Sequence, residues 1–152
     1  MIWLASILAF VPAATRVTTS HGATIWPTGS FSHIKLCSRA VPAPIEGEWQ
    51  PTWRDIERAE RSLPNTLRAW RIHHDPDSLV SAAQFGESNW QSRWSRNYFG
   101  IVRAKRRLLY IDFAPRSYRD GFGVCDGFPV FFGIEYDPVI RSIVALSTNG
   151  IA

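Results

Sequence analysis

The chain has 152 residues, 45% of them hydrophobic and 20% charged, which suits one ordinary folded domain and excludes both wholesale disorder and a membrane-embedded bundle. Seventeen basic residues against 13 acidic ones give a formal charge of +4, too small a surplus to assign a polyanionic partner by itself. Aromatic residues make up 13% and include seven Trp, while only Lys35 and Lys105 of the basic residues are lysines, so rings and guanidinium forks favour planar or anionic contacts over diffuse charge steering.

Residues 2–14 of MIWLASILAFVPAATRVTTSHGA are uncharged and mostly apolar, and the run ends at Ala13 and Ala14. The pattern is that of a secretory leader with cleavage after Ala14 or Ala23, although no Lys or Arg precedes the apolar run. The alternative is a buried N-terminal helix or strand; a permanent membrane span needs ~20 apolar residues. The expected organisation is a leader over 1–23, an extended lead-in over 24–51 and a single domain over 52–152, in a periplasmic or secreted protein. In such a setting Cys37 and Cys125 read most simply as a disulfide. Closing a loop of ~90 residues would stabilise the fold by about 4–5 kcal/mol on the chain-entropy account. Two free thiols in a cytosolic chain are the rival reading. No CxxC or close Cys/His spacing points to a metal.

From Thr24 to Pro51 the prolines at 27, 42, 44 and 51 block regular helix, leaving an extended segment with one short strand expected from Phe31 to Cys37. The stretch PTWRDIERAERSLPNTLRAW changes character. Thr52 and Asp55 have capping-box spacing. Trp53, Ile56, Ala59 and Leu63 recur at helical intervals, with Arg54, Glu57, Arg58 and Arg61 opposite. This predicts a helix from Trp53 to Leu63, ended or kinked by Pro64, then a second short turn over Asn65 to Trp70. His73, His74, Asp75 and Asp77 invite a metal reading, but neighbouring side chains do not converge unaided, so a polar loop is expected. Trp90 and Trp94 are four apart and share a face of one helical turn, as packing residues do.

The C-terminal part has strand character. NYFGIVR, a turn at Ala104 and Lys105, and RRLLYIDFA make a hairpin; after a loop come VCDGFPVFFGIEY, a turn at Asp137 and Pro138, and IRSIVALSTNGIA. Alternation puts Val130, Phe132, Ile134 and Tyr136 on one face and Phe131, Gly133 and Glu135 on the other. Gly100 and Gly133 sit mid-strand, where they permit a bulge, a bend or close approach. Helical periodicity first and strand periodicity afterwards predicts an α+β fold, one main helix packed on an antiparallel sheet of about four strands, cystatin-like or nuclear-transport-factor-like by analogy.

Cys125 to Gly127, Phe132 to Pro138 and Asn149 to Ala152, with Trp49 to Thr52 and the Phe-Gly-Ile-Val-Arg hairpin, resemble small exported proteins of Gram-negative bacteria over residues 37–152. The resemblance implies compartment and fold and carries no particular activity. Phe128 stands where that pattern has a second Gly, and Ala104 and Lys105 where it has Asn-Gly.

Neither a GxSxG elbow, an HExxH, a phosphate-cradling Gly loop nor a Rossmann fingerprint occurs, and Ser32 to Lys35 fits SxxK without its companion motifs. Cofactor and metal are accordingly expected to be none, and an enzyme has no motif in its favour. Three function classes remain. The preferred one is an exported binding or inhibitory module that meets an envelope protein, glycan or anionic ligand through Arg103, Lys105, Arg106 and Arg107 with Trp90, Trp94 and Tyr118. Its warrant is that four basic residues at one turn repel each other and gain little from the fold, while Trp and Arg anchor interfaces. The second is a small hydrolase using His73 and His74, or Glu135 and Asp137, whose spacing of two places paired carboxylates on one side of a strand; their plainer reading is an exposed Glu and a turn-forming Asp. The third is a nucleic-acid binder, because Arg93, Arg96, Arg103, Lys105, Arg106, Arg107, Arg116 and Arg119 face only Asp112 within residues 90–119. Export argues against it.

Overall fold

The hairpin is the centre of the molecule. Strand β4 (Trp94–Arg103) and strand β5 (Arg106–Pro115) pair antiparallel along their whole length, from Trp94 opposite Pro115 to Arg103 opposite Arg106. In this computed structural model residues 15–19, 22–34, 44–74, 89–118 and 131–149 are described, those at 71–74 without their side chains. Residues 1–14 and 20–21 of the expected leader, both cysteines and their expected disulfide, Val130 and Arg119 lie outside the described residues, whereas Val17, Thr18 and Ala23 of that expected leader belong to strands of the sheet.

Strands β6 (Phe132–Asp137) and β7 (Ser142–Thr148) extend the hairpin antiparallel, giving the four expected strands in order β4-β5-β6-β7. Three short strands were not foreseen. On the free edge of β4, strand β2 (Ala23–Ile25) runs parallel to residues 96–98 and strand β3 (Gly47–Trp49) antiparallel to residues 100–102, while strand β1 (Val17–Thr18) pairs with β2. The fold is therefore α+β with a mixed sheet of seven strands. Two- and three-residue strands carry too little alternation to be read from sequence; a partner's exposed edge makes them strands. Phe31 to His33 form a 3-10 turn instead of the expected strand start. The Glu48 carboxylate fixes it, accepting backbone N–H bonds from Gly29 at 2.7 Å, Phe31 at 3.2 Å and Ser32 at 3.2 Å.

Helix α1 (Trp53–His74) begins as its sequence dictates. The Thr52 N–H donates to Asp55 Oδ2 at 2.9 Å and the Asp55 N–H to Thr52 Oγ1 at 3.3 Å, a reciprocal cap. Pro64 does not end it, however, and the expected second turn is a continuation of the same helix through the two histidines. An interior proline costs about 3 kcal/mol. Against this, Ile56, Ala59, Leu63 and Leu67 form one fully buried stripe spanning the proline, and each buried leucine contributes about 1.5–3 kcal/mol. Ser62 Oγ adds a 2.7 Å hydrogen bond to the hydroxyl of Tyr136, so breaking the helix at Pro64 would forfeit more than it saves.

The stripe packs on Tyr98, Leu109, Ile111, Phe113, Ile134 and Tyr136 of the sheet. The other sheet face is covered as well. Phe99, Ile101, Leu108 and Tyr110 lie beneath Trp26, Phe31 and Ile34 from the segment after β2, which is why eight consecutive residues of β4 are buried. The lead-in supplies this second cover.

The β4–β5 turn stores strain. Ala104 and Lys105 have φ of 47° and 59°, the left-handed pair that a two-residue hairpin turn needs and that Asn-Gly supplies at least cost. Replacing Ala104-Lys105 by Asn-Gly keeps the backbone N–H of residue 105 available to Glu46 Oε2, which accepts it at 3.0 Å. The double substitution is expected to stabilise the fold by about 1–2 kcal/mol. In chemical denaturation this is a higher midpoint at unchanged slope; an unchanged or lowered midpoint would show that the turn is not strained.

Candidate functional site

The residues expected to form one binding surface are not brought together. Trp94 and Tyr118 lie at the Pro115 end of the hairpin, and Trp90 lies just before it in the single-turn helix α2 (Trp90–Arg93). The basic turn lies at the other end of a ten-residue strand, about 30 Å away at ~3.3 Å per residue. Trp90 and Trp94 are 4% and 5% exposed and belong to the core; helix gives way to strand at Trp94, so they share no helical face. Only Tyr118 is well exposed, its ring edge-on to Phe131 at 5.2 Å.

The basic turn is not left to repel itself. Arg103 pairs with Glu135 and Arg106 with Asp137 across the β5–β6 face, and the Arg107 guanidinium lies 5.6 Å from the centroid of the Trp49 ring. Three charges of the expected surplus over residues 90–119, those of Arg96, Arg103 and Arg106, are thus answered by Glu60, Glu135 and Asp137, all outside that window. Asp137 also shapes its turn as expected, Oδ1 accepting the N–H groups of Val139 at 2.7 Å and Ile140 at 3.2 Å. Glu135 is a correction: it is 2% exposed, not a rim acid. The two carboxylates do share a sheet face, yet each is buried against an arginine, an arrangement that holds strands together.

Burial lifts the Glu135 carboxyl above its ordinary range, outweighing the opposing pull of the Arg103 guanidinium. With the folded value above the unfolded one, the native chain holds this proton to higher pH. Its contribution is full below the ordinary glutamate range and is lost as pH rises through the raised value. Glu135→Gln should abolish the part of the pH dependence that begins at the ordinary glutamate range and ends at the raised value, read from denaturation midpoints. Identical profiles for both proteins would contradict it.

The best-formed site was missed. Glu60 lies on the same helical stripe as Ile56, Leu63 and Leu67, and Arg96 lies on the same strand face as Trp94 and Tyr98. Arg96 is 1% exposed, and its Nε donates to Glu60 Oε1 at 2.7 Å. The Tyr98 hydroxyl donates to the same oxygen at 2.6 Å. Arg96 further donates to the carbonyls of Trp94, at 2.8 Å, and of Gln91, and lies 5.4 Å from the Trp90 ring centroid. Burial, reinforced by the Glu60 carboxylate, drives the Tyr98 phenol well above its usual value, so it remains a neutral donor. This network floors a cleft of about 530 Å³ between α1, α2 and β2, with Trp53, Ile56 and Ala23 as apolar wall and Glu57, Gln91 and Ser92 toward the rim. The signal was legible: an acid interrupting an apolar helix stripe and a base interrupting an apolar strand face are complementary breaks in pattern.

His73 and His74 end α1 rather than lying in a polar loop, and their side chains are outside the described residues. Among the described residues no group of three or more His, Cys, Asp or Glu is placed to hold a metal ion, and no helix is long and apolar enough to cross a membrane. No family model, curated protein or solved structure matches this chain.

Proposed function

We propose that the protein is an exported, non-catalytic binding module whose ligand is an uncharged, hydroxyl-rich molecule of the envelope-glycan class, held in the cleft above Glu60. The observation that carries this reading is the cleft itself, about 530 Å³ with an indole on its wall and a carboxylate immobilised at its floor. That size and composition are those of small-molecule sites, mostly apolar with a few fixed polar groups. Arg96 is committed to Glu60 and to two backbone carbonyls, so the cleft has little positive charge to offer an anion. Glu57, Gln91 and Ser92 suit hydroxyl groups instead. The apolar leader-like segment, cleaved after Ala14 so that Thr19 and Ala23 stay in the cleft wall, and the cysteine pair support export, as does the resemblance of residues 37–152 to exported proteins.

The test is calorimetric titration of the folded chain with soluble fragments of envelope glycan, monitoring fragment length by chromatography in parallel. Saturable binding that weakens at least ~10-fold in Trp53→Ala and in Glu57→Gln, about 1.4 kcal/mol, with fragments intact, is expected. Absence of binding, or affinity indifferent to both substitutions, sinks the reading; shortened fragments would make the cleft hydrolytic.

A further inference from the structure

Strands β5 and β6 run antiparallel, so the β4–β5 turn and the β6–β7 turn over residues 138–141 close the same end of the sheet. Arg106, beside the first turn, is ion-paired to Asp137 at the foot of the second, and the two turns stand roughly 10 Å apart at ~4.8 Å per strand. This end carries what a core ordinarily takes in. Val139 and Ile140 are 83% and 59% exposed, more than any other large hydrophobic residue described. Their protrusion is built into the turn: Asp137 Oδ1 accepts the N–H groups of both residues, which holds the backbone in a shape that leaves both side chains in solvent.

Cations surround the aliphatic pair. Arg141 follows it in sequence with φ of 54°, and the neighbouring turn has Ala104 and Lys105 in the same left-handed region. Every non-glycine residue with positive φ among those described therefore lies at this end, and two of the three are cations placed where Gly or Asn would be least strained. Backbone strain of this kind gathers at functional sites. Lys105, Arg107 and Arg141 are exposed, and none of them forms an ion pair among the described residues. Of the acids nearby, Glu46 accepts the Lys105 N–H, while Glu135 and Asp137 are committed to Arg103 and Arg106. The excess at this end is positive.

We propose that this end of the sheet seats on the surface of an anionic phospholipid bilayer, with Val139 and Ile140 entering the boundary between headgroups and acyl chains and Lys105, Arg107 and Arg141 meeting lipid phosphates. A convex tip with two aliphatic side chains offers far less than the ~800 Å² per partner of a stable protein interface. A bilayer accepts such a tip, because aliphatic groups sink past the headgroups while flanking Lys and Arg keep their charged ends among the phosphates. Either signal alone gives marginal attachment, and apolar insertion combined with basic residues is what holds a peripheral protein to an anionic leaflet. The proposal does not rest on the glycan reading. None of these residues lines the Glu60 cleft, and Arg96 at its floor lies seven residues along β4 from Arg103, roughly 20 Å from the seat at ~3.3 Å per residue.

The test sediments the full chain with phosphatidylcholine vesicles prepared with and without phosphatidylglycerol. Binding is expected to the anionic vesicles and not to phosphatidylcholine alone, and it should weaken as salt screens the headgroups. Val139→Ser combined with Ile140→Ser should weaken it at least ~10-fold and, both sites being exposed, should keep the parent's denaturation midpoint. Arg141→Asn, and replacement of Ala104-Lys105 by Asn-Gly, each remove one cation and should each weaken binding about 5-fold. Both relieve left-handed strain, so their midpoints should hold or rise. Weaker binding by a chain that is equally or more stable separates membrane seating from a structural role for these residues. Equal sedimentation of the parent and the double serine variant would assign the binding to the apolar run over residues 2–14 and overturn the proposal. Absence of sedimentation, indifference to phosphatidylglycerol, or unchanged affinity in both cation variants overturns it as well.

Discussion

Gly100→Ala is expected to destabilise the fold by about 3 kcal/mol or more, the cost of overpacking compounded by loss of a large, partly buried aromatic contact. Gly100 is centred in β4 opposite Trp49 of β3. A Cβ at residue 100 would come 2.1 Å from the Trp49 carbonyl oxygen and 2.9 Å from both its carbonyl carbon and Cδ2. Two of those three atoms are backbone, so no rotamer change relieves the clash. Nor can Trp49 simply leave: its Nε1–H is shared between the carbonyls of Ile101, at 3.2 Å, and Leu108, at 3.1 Å, and its ring supports Arg107. The indole lies across the strand because residue 100 has no side chain. The substitution should detach β3 and, with it, the chain's route into α1. The measurement is urea denaturation with Trp emission: a midpoint within about 1 kcal/mol of the parent's would show that β3 shifts at little cost and refute the prediction.

The second large effect is at the floor of the cleft. Glu60→Ala should cost about 3 kcal/mol, the lower part of the range for stripping one partner from a buried ion pair, because Glu60 is 17% exposed while Arg96 is 1% exposed. What remains is a guanidinium enclosed by Trp90, the Trp94 and Gln91 carbonyls and the Tyr98 hydroxyl, with no counter-charge. Tyr98→Phe removes only one hydrogen bond and should cost about 1 kcal/mol. Combining Glu60→Leu with Arg96→Met removes both charges and should cost less than Glu60→Ala alone, since well-packed apolar pairs replace buried ion pairs at little penalty. Additive losses in this cycle would mean that the two residues act separately and that the cleft has no shared floor.

Contiguous signals were read correctly. The helix start follows from Thr52 and Asp55, which satisfy each other within one turn. The β4–β5 register follows from two alternating runs separated by two residues, because a tight turn fixes which residue faces which. The Asp137 turn and the inward set Phe132, Ile134 and Tyr136 are local in the same sense. By itself, then, the sequence determined one amphipathic helix followed by an antiparallel meander, and so the α+β class. It also marked Gly100 as a position that permits a bulge, a bend or a close approach, of which the structure has the last, by Trp49.

What the tertiary structure alone decided are the pairings between segments far apart in the chain. Arg103, Arg106 and Arg107 form a cationic cluster when counted along the chain. In the sheet, Arg103 and Arg106 are neighbours of Glu135 and Asp137, which neutralise them. Likewise the helix crosses Pro64 because Leu67 has a sheet to bury itself in, and Ala23 to Ile25 become a strand because β4 offers an edge. The cleft is of this kind, since Glu60 meets Arg96 only once helix and sheet are assembled. Periodicity states which face of an element is buried. It does not name the residue that will stand opposite, because that choice is made by packing the elements together, and here it converts charges that look free into the struts and walls of the fold.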